Sequence, residues 1–551
     1  MMTNKQQWLA FVGLLVVIIT GIWIDVMDID AAQYASISRE MLNSGHYLQV
    51  FDAGKDYLDK PPFLFWVSAI SMKLLGVGNF GYSLPSLLMA GVAVFSTYRL
   101  SLLYYSPQRA RLAAWILGCS QGFILMNHDV RTDTVLMGWV IFSIWQLTLW
   151  FRQQQLIHLL TGAAGIALGM MTKGPIALLV PAFALGSQLM MQRELKALFQ
   201  WQHLLALLWI GLLLLPMSWG LYQQFDLHPE KIVNNAQGVS GLRFFYWTQS
   251  FGRITGESTW NNNANIFFLL QNMLWSFLPW IICFLIALFL EIKKLTTSRF
   301  KIDSHQEVIS AMGFLLTYLS LGLSKYQLPH YIFVAFPLAA IITSGFFEDL
   351  MEGKYQRWLK PLLTFHFVIY LLLWVALFLL LFIPFPELNK MWSWAALVGL
   401  IALIILYFKI KQPAQSLLIL SIYTIIGLNL FINTFFYPSL LKFQGGSNMG
   451  RWMKENHIPP TQTGIYQYQL WRSVDFYSNG ILPFKDSLQQ YRQGDYLICN
   501  KEQLNNIKAA GVSFEQLHET VDYPITRLSI EFLNPKKRED LLNHLVLLKI
   551  R

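Results

Sequence analysis

The stretch "WLAFVGLLVVIITGIWIDVMDIDAAQYASISREM", residues 8–41, joins an uncharged apolar run to a loop that is rich in acids. The apolar part, 8–24, is long enough to cross about 30 Å of hydrocarbon. It follows Lys5 and lacks a small-residue cleavage site before Asp25, so we interpret it as a retained span rather than a signal peptide. The fold is therefore predicted to begin with a membrane helix that opens into an acidic loop.

The composition agrees with a membrane protein that crosses the bilayer many times. The chain has 551 residues, of which 55% are hydrophobic and 13% charged, whereas soluble domains carry about 25% charged residues. The net charge is +10, but the basic residues form short clusters between apolar runs, as in cytoplasmic loops. We therefore expect no nucleic acid partner. The 3 cysteines follow no ligand spacing, so neither a disulfide framework nor a zinc site is predicted.

Similar apolar runs recur along the first 436 residues and predict about 13 spans. The predicted spans are 8–24, 83–104, 111–127, 134–151, 157–171, 174–191, 203–222, 266–290, 308–324, 328–347, 361–383, 391–408 and 414–436.

The loops between these runs predict the orientation of the chain. The basic clusters all fall on one side if the N-terminus is cytoplasmic; they contain Arg99, Arg109, Arg111, Arg152, Lys293, Lys294, Arg299, Lys301, Lys354, Arg357, Lys360, Lys409 and Lys411. The opposite side receives the long loops 25–82 and 223–265 and everything after Tyr437. In a bacterium this chain would lie in the inner membrane with those loops in the periplasm. The run "PPFLFWVSAISMKLLG" (61–76) is short and predicts an interfacial helix.

The C-terminal part differs from the rest. We divide the chain into a membrane domain, 1–443, and a periplasmic α/β domain, 444–551. "QGGSN" (444–448) reads as a flexible hinge. Strand-like "TGIYQYQ" (463–469) and "GDYLICN" (494–500) are separated and followed by helix-like "DSLQQYR" (486–492) and "KEQLNNIKAA" (501–510). No set of residues in this domain suggests chemistry.

Charged residues at the outer turns suggest a site. The Pro pair after Asp59 and Lys60 in "YLDKPPFLFW" (57–66) fixes the local backbone. Lys173 lies in the turn "MTKGPIALLVP" (171–181), and "SKYQLPHYIFVAFP" (324–337) places Lys325 and His330 at another outer turn. Arg253 belongs to "QSFGRITGEST" (249–259). Cations facing acids near the membrane surface predict a site for an anionic group such as a lipid phosphate.

The acids of this side also allow structural roles. Asp129 and Asp133, in "NHDVRTDTV" (127–135), can cap a helix beside Arg131. His330 is expected to be a hydrogen-bonded interfacial residue more often than a ligand. Asp28 is expected to be solvated, and Glu40 to lie with Arg39 on the wet face of a helix.

Five stretches resemble, in order, the membrane glycosyltransferases of the GT-C superfamily, and specifically the protein O-mannosyltransferase-like group that includes the lipid A aminoarabinose transferases. They are "DAAQYASISREML" (30–42), "YLDKPPFLFW", "RTDTVLMGWV" (131–140), "MTKGPIALLVP" and "SKYQLPHYI" (324–332). The resemblance implies a polytopic helical GT-C fold with a C-terminal periplasmic α/β domain.

The resemblance also implies roles for individual residues. Asp30 matches the essential acid of the first periplasmic loop, and Lys60 and Arg253 match residues that hold the lipid phosphate. Asp59 stands near a divalent metal ion in these relatives. Gln33 takes the place of an Arg in the group's D-x-x-R-Y pattern, of which Tyr34 is the last residue, and no His follows near Arg253.

The function expected is transfer of a sugar from a polyprenyl-phosphate donor to lipid A, another envelope lipid or a protein hydroxyl outside the cytoplasm. Lys60, Arg253 and Lys325 would stabilise the leaving phosphate, and Asp30 would take a proton from the acceptor or orient it. Gln33, Tyr34, Asp133, Lys173 and His330 are supporting candidates. A ligase of another lipid-linked glycan, or a transporter or flippase, remains an alternative. Transport sites usually place ionisable groups near the bilayer midplane, whereas these acids collect in outer loops.

Overall fold

A computed structural model describes residues 2–255, 257, 261–303, 305–385, 390–468, 470 and 472–551, without the side chains of 253, 254 and 390–392. Helices dominate up to residue 443. They are α1 (Asn4–Ile22), α2 (Asp30–Ser44), α3 (Phe63–Leu75), α4 (Asn79–Leu102), α5 (Pro107–Gly118), α6 (Gln121–His128), α7 (Thr132–Gln153), α8 (Leu156–Lys173), α9 (Ile176–Met191), α10 (Gln202–Leu221), α11 (Gly241–Arg243), α12 (Phe251–Thr255), α13 (Phe268–Ser276), α14 (Ile281–Thr297), α15 (Ile309–Gly322), α16 (Phe336–Met351), α17 (Gln356–Phe382), α18 (Lys390–Lys409), α19 (Pro413–Phe431) and α20 (Tyr437–Leu440).

Among the described residues, 8 helices are long and apolar enough to cross a membrane. They are Asn4–Ile22, Asn79–Leu102, Thr132–Gln153, Leu156–Lys173, Gln202–Asp226, Pro329–Met351, Gln356–Phe382 and Pro413–Phe443. Further apolar helices are shorter: Phe63–Leu75, Ile176–Gln192, Ile309–Gly322 and Ser393–Lys409. Each predicted span coincides with a helix or a pair of helices. The chain is thus a polytopic helical membrane protein, and the count of about 13 crossings stays a prediction.

Two predicted spans, 111–127 and 266–290, are each broken in the middle. The first breaks between α5 and α6, and the second between α13 and α14, where Pro279 has no N–H to continue a helix. The breaks face each other, because the Gln121 N–H donates to the Leu278 carbonyl at 2.9 Å and the Trp280 indole donates to the Cys119 carbonyl at 3.1 Å. Irregular backbone at membrane depth is therefore satisfied inside the protein.

Hydrogen bonds group the loops in the two sets that the sequence predicts. At one end, Tyr105 donates to Glu307 at 2.6 Å and Ser106 donates to Glu348 at 2.6 Å, so three of the loops assigned to the cytoplasm meet. The acidic loop after α1 lies with the C-terminal region, since Tyr477 contacts Asp25 at 3.3 Å. This arrangement agrees with the predicted alternation of the loops.

The region between α2 and α4 contains a hairpin of β1 (Phe51–Asp52) and β2 (Lys55–Asp56), followed by α3. The helix α3 is the one predicted from 61–76, and its 13 residues span about 20 Å, which is shorter than the hydrocarbon core. A second hairpin, β3 (Ile232–Val233) and β4 (Ala236–Gln237), lies in the second long loop.

The C-terminal region forms a 5-stranded mixed sheet in the order β6-β5-β7-β9-β8. Its elements are α21 (Gly445–Glu455), β5 (Thr463–Tyr466), α22 (Ser473–Ser478), β6 (Phe484–Lys485), β7 (Tyr496–Asn500), α23 (Lys501–Ala509), β8 (Phe514–Asp522), α24 (Ile530–Leu533), α25 (Pro535–Arg538) and β9 (Asn543–Ile550). β5 and β7 are the predicted strands and α23 is a predicted helix, whereas "DSLQQYR" forms only a short 3-10 turn, Leu488–Gln490. β8 and β9 were not predicted.

The prediction of a flexible hinge at "QGGSN" is wrong. Gln444 and Ser447 are buried, and α21 begins at Gly445. A side chain at Gly445 would lie 2.7 Å from Asp522 Cβ and 2.8 Å from Leu545 Cδ1. This glycine therefore allows a helix to approach the sheet closely.

Candidate active site

A cavity of ≈ 220 Å³ lies between the C-terminal ends of α8 and α15 and the start of α9. Its polar lining includes Lys60, Lys173 and Tyr331, together with Gln249, Ser250, Ser320 and Ser324. Its apolar lining is formed by Leu136, Ile176, Leu179, Phe183, Phe251, Leu321 and Val334. The cavity thus combines two ammonium groups with an apolar wall, which suits an anionic head group on a lipid chain.

Lys173 is held in this cavity by the start of α7. It is the last residue of α8, and Gly174, with φ 116°, turns the chain into α9. The Lys173 ammonium forms an ion pair with Asp133 and lies 4.1 Å from the centroid of the Tyr331 ring. The Asp133 side chain is only 1% exposed, and His330 Nε2 lies 3.7 Å from it. The supporting candidates Asp133, Lys173 and His330 therefore form one cluster.

Lys60 reaches the same cavity from the first long loop. Gln249 donates a hydrogen bond to the backbone carbonyl of Asp59, which ties this loop to the segment before α12. Asn234 donates to the Asp59 carboxylate at 3.0 Å. The two long outer loops are thus joined at the residues that carry Asp59 and Lys60.

Asp30 lies in the first turn of α2 and forms an ion pair with Arg131. The Arg131 side chain also contacts Asp129 at 3.0 Å. The Asp30 side chain is 36% exposed, so it can meet a substrate while Arg131 orients it. Arg131 directly precedes α7 and Asp133 lies in its first turn, so both ion pairs lie at the start of that helix. Asp30 is not among the described residues that line the cavity.

Gln33 and Tyr34, which follow Asp30 on α2, have different surroundings. Tyr34 is buried, and this burial, together with the charge of Asp30, raises the pKa of the phenol well above its usual range. Gln33 donates to Asp52 at 2.8 Å, and Asp52 forms an ion pair with Arg472 at 2.9 Å. Gln33 therefore connects the Asp30 helix to the C-terminal region.

Of the other two phosphate-binding candidates, Lys325 is not among the described residues that line the cavity. Lys325 is exposed, although its neighbour Ser324 lines it. The backbone of Arg253 lies in α12, next to the lining residue Phe251, but its side chain is outside the described residues. Their roles stay predictions.

A metal ion at Asp59 finds no ligand set in the described residues. No group of three or more His, Cys, Asp or Glu side chains that could hold a metal occurs among them. The Asp59 carboxylate is bound by the amide of Asn234, which is not an anionic partner. A divalent ion at Asp59 stays a prediction.

The expected roles of Asp28 and Arg39 are wrong, because both side chains are buried, whereas Glu40 is half-buried. Asp28 is buried and accepts hydrogen bonds from the Ser473 hydroxyl at 2.8 Å and the Ser473 N–H at 3.3 Å. Burial raises its pKa to about 7. Arg39 is 1% exposed and donates to the Asp475 carbonyl. Glu40 accepts from two N–H groups of the β1–β2 turn at 2.8 and 2.9 Å.

Sequence reasoning missed Arg131 as a partner of Asp30 and Arg472 as a partner of Asp52. A signal existed for Arg131, which stands between two acids directly before an apolar helix. No sequence signal links Arg472 to a loop that lies more than 400 residues earlier in the chain.

Comparisons with known proteins bear out the predicted resemblance. Residues 59–219 match the family model described as dolichyl-phosphate-mannose-protein mannosyltransferase. The chain is 27% identical over 407 residues to an undecaprenyl phosphate-alpha-4-amino-4-deoxy-L-arabinose arabinosyl transferase of Pseudomonas fluorescens, covering 71% of this chain and 63% of the relative. The corresponding transferase of Pseudomonas savastanoi is 27% identical over 341 residues, covering 61% and 59%. The matches thus span less than two thirds of the length of these relatives.

The fold is shared with a solved transferase. The crystal structure of ArnT from Cupriavidus metallidurans bound to undecaprenyl phosphate matches with a TM-score of 0.72 and 14% identity, over 99% of this chain and 98% of the other. Its apo structure matches with a TM-score of 0.69 and 15% identity, with the same coverage. The chain therefore has the polytopic GT-C fold that the sequence predicted.

Proposed function

We propose that this chain, similar to the aminoarabinose transferases and sharing the fold of ArnT, is an integral membrane glycosyltransferase. It moves a sugar from a polyprenyl-phosphate donor to an acceptor on the outer side of the inner membrane. Relatives named for an undecaprenyl-phosphate donor support this choice of donor, and lipid A is the first acceptor to test.

The observation that carries the proposal is the cavity with two lysines at its polar side and an apolar wall. As the glycosidic bond breaks, negative charge grows on the leaving lipid phosphate. Fixed cations at that position stabilise the transition state more than the ground state. Lys60 and Lys173 line one cavity, so both ammonium groups can face one phosphate.

Asp30 is proposed to act on the acceptor that attacks the sugar, rather than on the leaving phosphate. If the acceptor is a hydroxyl, the Asp30 carboxylate accepts its proton during attack. If the acceptor is a phosphate that is already ionised, Asp30 orients it or stabilises positive charge at the sugar. Arg131 holds the carboxylate by its ion pair in either case.

The location of the charges supports an enzyme at the membrane surface over a transporter. Asp30, Lys60, Asp133 and Lys173 all lie at loops or helix ends, whereas transport sites place such groups near the bilayer midplane. A ligase that uses another lipid-linked glycan shares much of this chemistry, and the choice of donor in an assay separates the two.

Sugar transfer by the purified full chain in detergent or lipid nanodiscs tests the proposal. The donor is undecaprenyl-phosphate aminoarabinose, followed by other monosaccharides, and the acceptors are lipid A, a glycerophospholipid and a Ser/Thr peptide. We expect transfer that Lys60→Ala and Asp30→Asn impair and that Lys293→Gln, an exposed lysine at the other end of the bundle, leaves intact. Folded protein that transfers sugar from none of these monophosphate donors would overturn the proposal.

A further inference from the structure

The first turn of α2 carries Asp30, and the C-terminal region is connected by hydrogen bonds and an ion pair to residues on both sides of it. Two residues before Asp30, the Asp28 carboxylate accepts from the hydroxyl and the N–H of Ser473. Three residues after it, Gln33 donates to Asp52, which in turn is paired with Arg472. These contacts therefore act on Asp28, just before α2, and on Gln33, in the first turn after Asp30.

A further contact fixes the middle of the helix. Arg39 is buried, and its guanidinium donates to the carbonyl of Asp475. Arg472 also pairs with the Asp475 carboxylate at 3.2 Å. Residues 472–475 thus contact α2 and its hairpin through Asp28, Gln33 (by way of Asp52) and Arg39.

These contacts are of a kind that fixes geometry. Charged groups that are buried without a partner are destabilising by several kcal/mol, so Asp28 and Arg39 favour one docked arrangement. The Arg472–Asp52–Gln33 connection is less buried, since the Arg472 and Asp52 side chains are 30% and 14% exposed. It can be weakened without unfolding the chain.

We propose that residues 472–475 of the C-terminal region position Asp30 for the reaction, with Arg472 acting through Asp52 and Gln33. This inference rests on the proposed glycosyltransferase function. It gives the C-terminal region, of which no described residue lines the cavity, a part in the chemical step. Arg472 is a positioning residue, because it touches Asp52 and Asp475 rather than the substrate.

The test is the kinetics of Arg472→Gln in the full chain, with Arg492→Gln as the matched control. Arg492 is an exposed arginine of the same region, outside this contact. We expect Arg472→Gln to lower kcat by about 10-fold to 100-fold, as for a catalytic group displaced by about 1 Å. The KM for the donor should change less than about 3-fold, because the lysines that bind the phosphate are untouched. Arg472→Lys should recover part of the loss.

A double-mutant cycle shows whether Arg472 acts through Asp52. Asp52→Asn should lower kcat as Arg472→Gln does, and the double variant should lose little more than either single variant. Full additivity, or a wild-type kcat in Arg472→Gln, would overturn the inference. An equal loss in Arg492→Gln would also overturn it.

Hydrogen exchange keeps this inference separate from the proposed function. If the wild-type protein transfers no sugar, the proposed function fails. Backbone amides 31–36 of Arg472→Gln then report on the positioning alone. Faster exchange there than in the wild type and in Arg492→Gln supports the inference that residues 472–475 hold α2 in position. Unchanged exchange excludes it.

Discussion

Two ion pairs flank the start of α7, and they differ in what surrounds them. Arg131 pairs with Asp30, whose side chain is 36% exposed. Two residues later, Asp133 pairs with Lys173 and is only 1% exposed. An acid that is open to solvent can meet a substrate, whereas a buried acid mainly fixes its partner. We therefore propose Asp30 as the reacting carboxylate of the two, whereas Asp133 pairs with Lys173, which lines the cavity.

The largest effect is expected at Asp133, the acid to which this comparison assigns a structural role. Asp133→Ala leaves the Lys173 ammonium without its buried partner, which should lower the free energy of unfolding by about 3–5 kcal/mol. Thermal unfolding of the purified protein measures the loss. In Asp133→Leu with Lys173→Met, both charges are removed, so stability should largely return while donor binding stays weak. Full donor binding by that double variant would show that Lys173 does not contact the phosphate.

The exposed acid should behave in the opposite way. Asp30→Asn preserves the shape but removes the basic carboxylate, so transfer should fall by about 10²-fold to 10⁴-fold. Donor binding and thermal stability should stay close to those of the wild type. Single-turnover transfer and a separate donor-binding assay distinguish the two. Asp226→Asn, which changes an acid that caps the short helix after Ser240, is the control for a general loss of charge.

Lys60→Ala tests the cavity side of this comparison, where a cation is changed and donor affinity is measured. Lys60→Ala removes a charge-assisted contact to the phosphate worth about 1.5–3 kcal/mol, so donor affinity should fall by about 10-fold to 150-fold. Lys325→Ala removes an exposed lysine that is not among the residues lining the cavity. We expect it to change donor affinity less than about 3-fold. Titration of both variants with the lipid donor decides between them, and a larger loss in Lys325→Ala would reverse the assignment.

The last effect is expected at Asp28, and it depends on pH. Burial raises the pKa of Asp28 from 3.8 to about 7 in the folded state. The folded protein therefore binds a proton more tightly than the unfolded chain, so stability falls as pH rises from about 4 to about 7. Asp28→Asn should reduce this fall, which is measured as the Tm at pH 5 and pH 8.

Asp475 and Asp522 should keep the rest of that pH dependence, since burial raises their pKa values too, that of Asp475 to about 6. Asp56→Asn is the control, since Asp56 lies outside the contact with residues 472–475. A wild-type slope in Asp28→Asn would contradict the assignment to Asp28.

The membrane helices could be predicted from the sequence because long apolar runs have few alternative structures. Lys60, Lys173 and His330 were also recognised, since charges next to such runs are conspicuous. The exposure of each acid was not predictable, because it depends on residues far away in the chain. Asp28 and Arg39 resemble solvated residues until Ser473 and Asp475 cover them.

The C-terminal region shows the same limit. Composition indicated flexibility at "QGGSN", yet Gly445 is small because a helix must approach the sheet there. The strand β8 was not predicted because none of its residues is buried. The strand β9 was not predicted because its buried residues follow one another without alternation, a pattern that a buried helix shares. Pairing between distant strands was not visible in either segment alone.

The facing breaks in the helical bundle have a consequence for biosynthesis. The helix α6 has 8 residues and α13 has 9, so each spans only about 12–14 Å and neither can cross the bilayer alone. The Gln121 N–H and the Cys119 carbonyl find their partners at Leu278 and Trp280. A nascent chain that has not yet delivered residues 278–280 to the membrane leaves these polar groups unsatisfied. The first half of the bundle thus reaches its final packing only after residues 278–280, near the middle of the chain, have been synthesised.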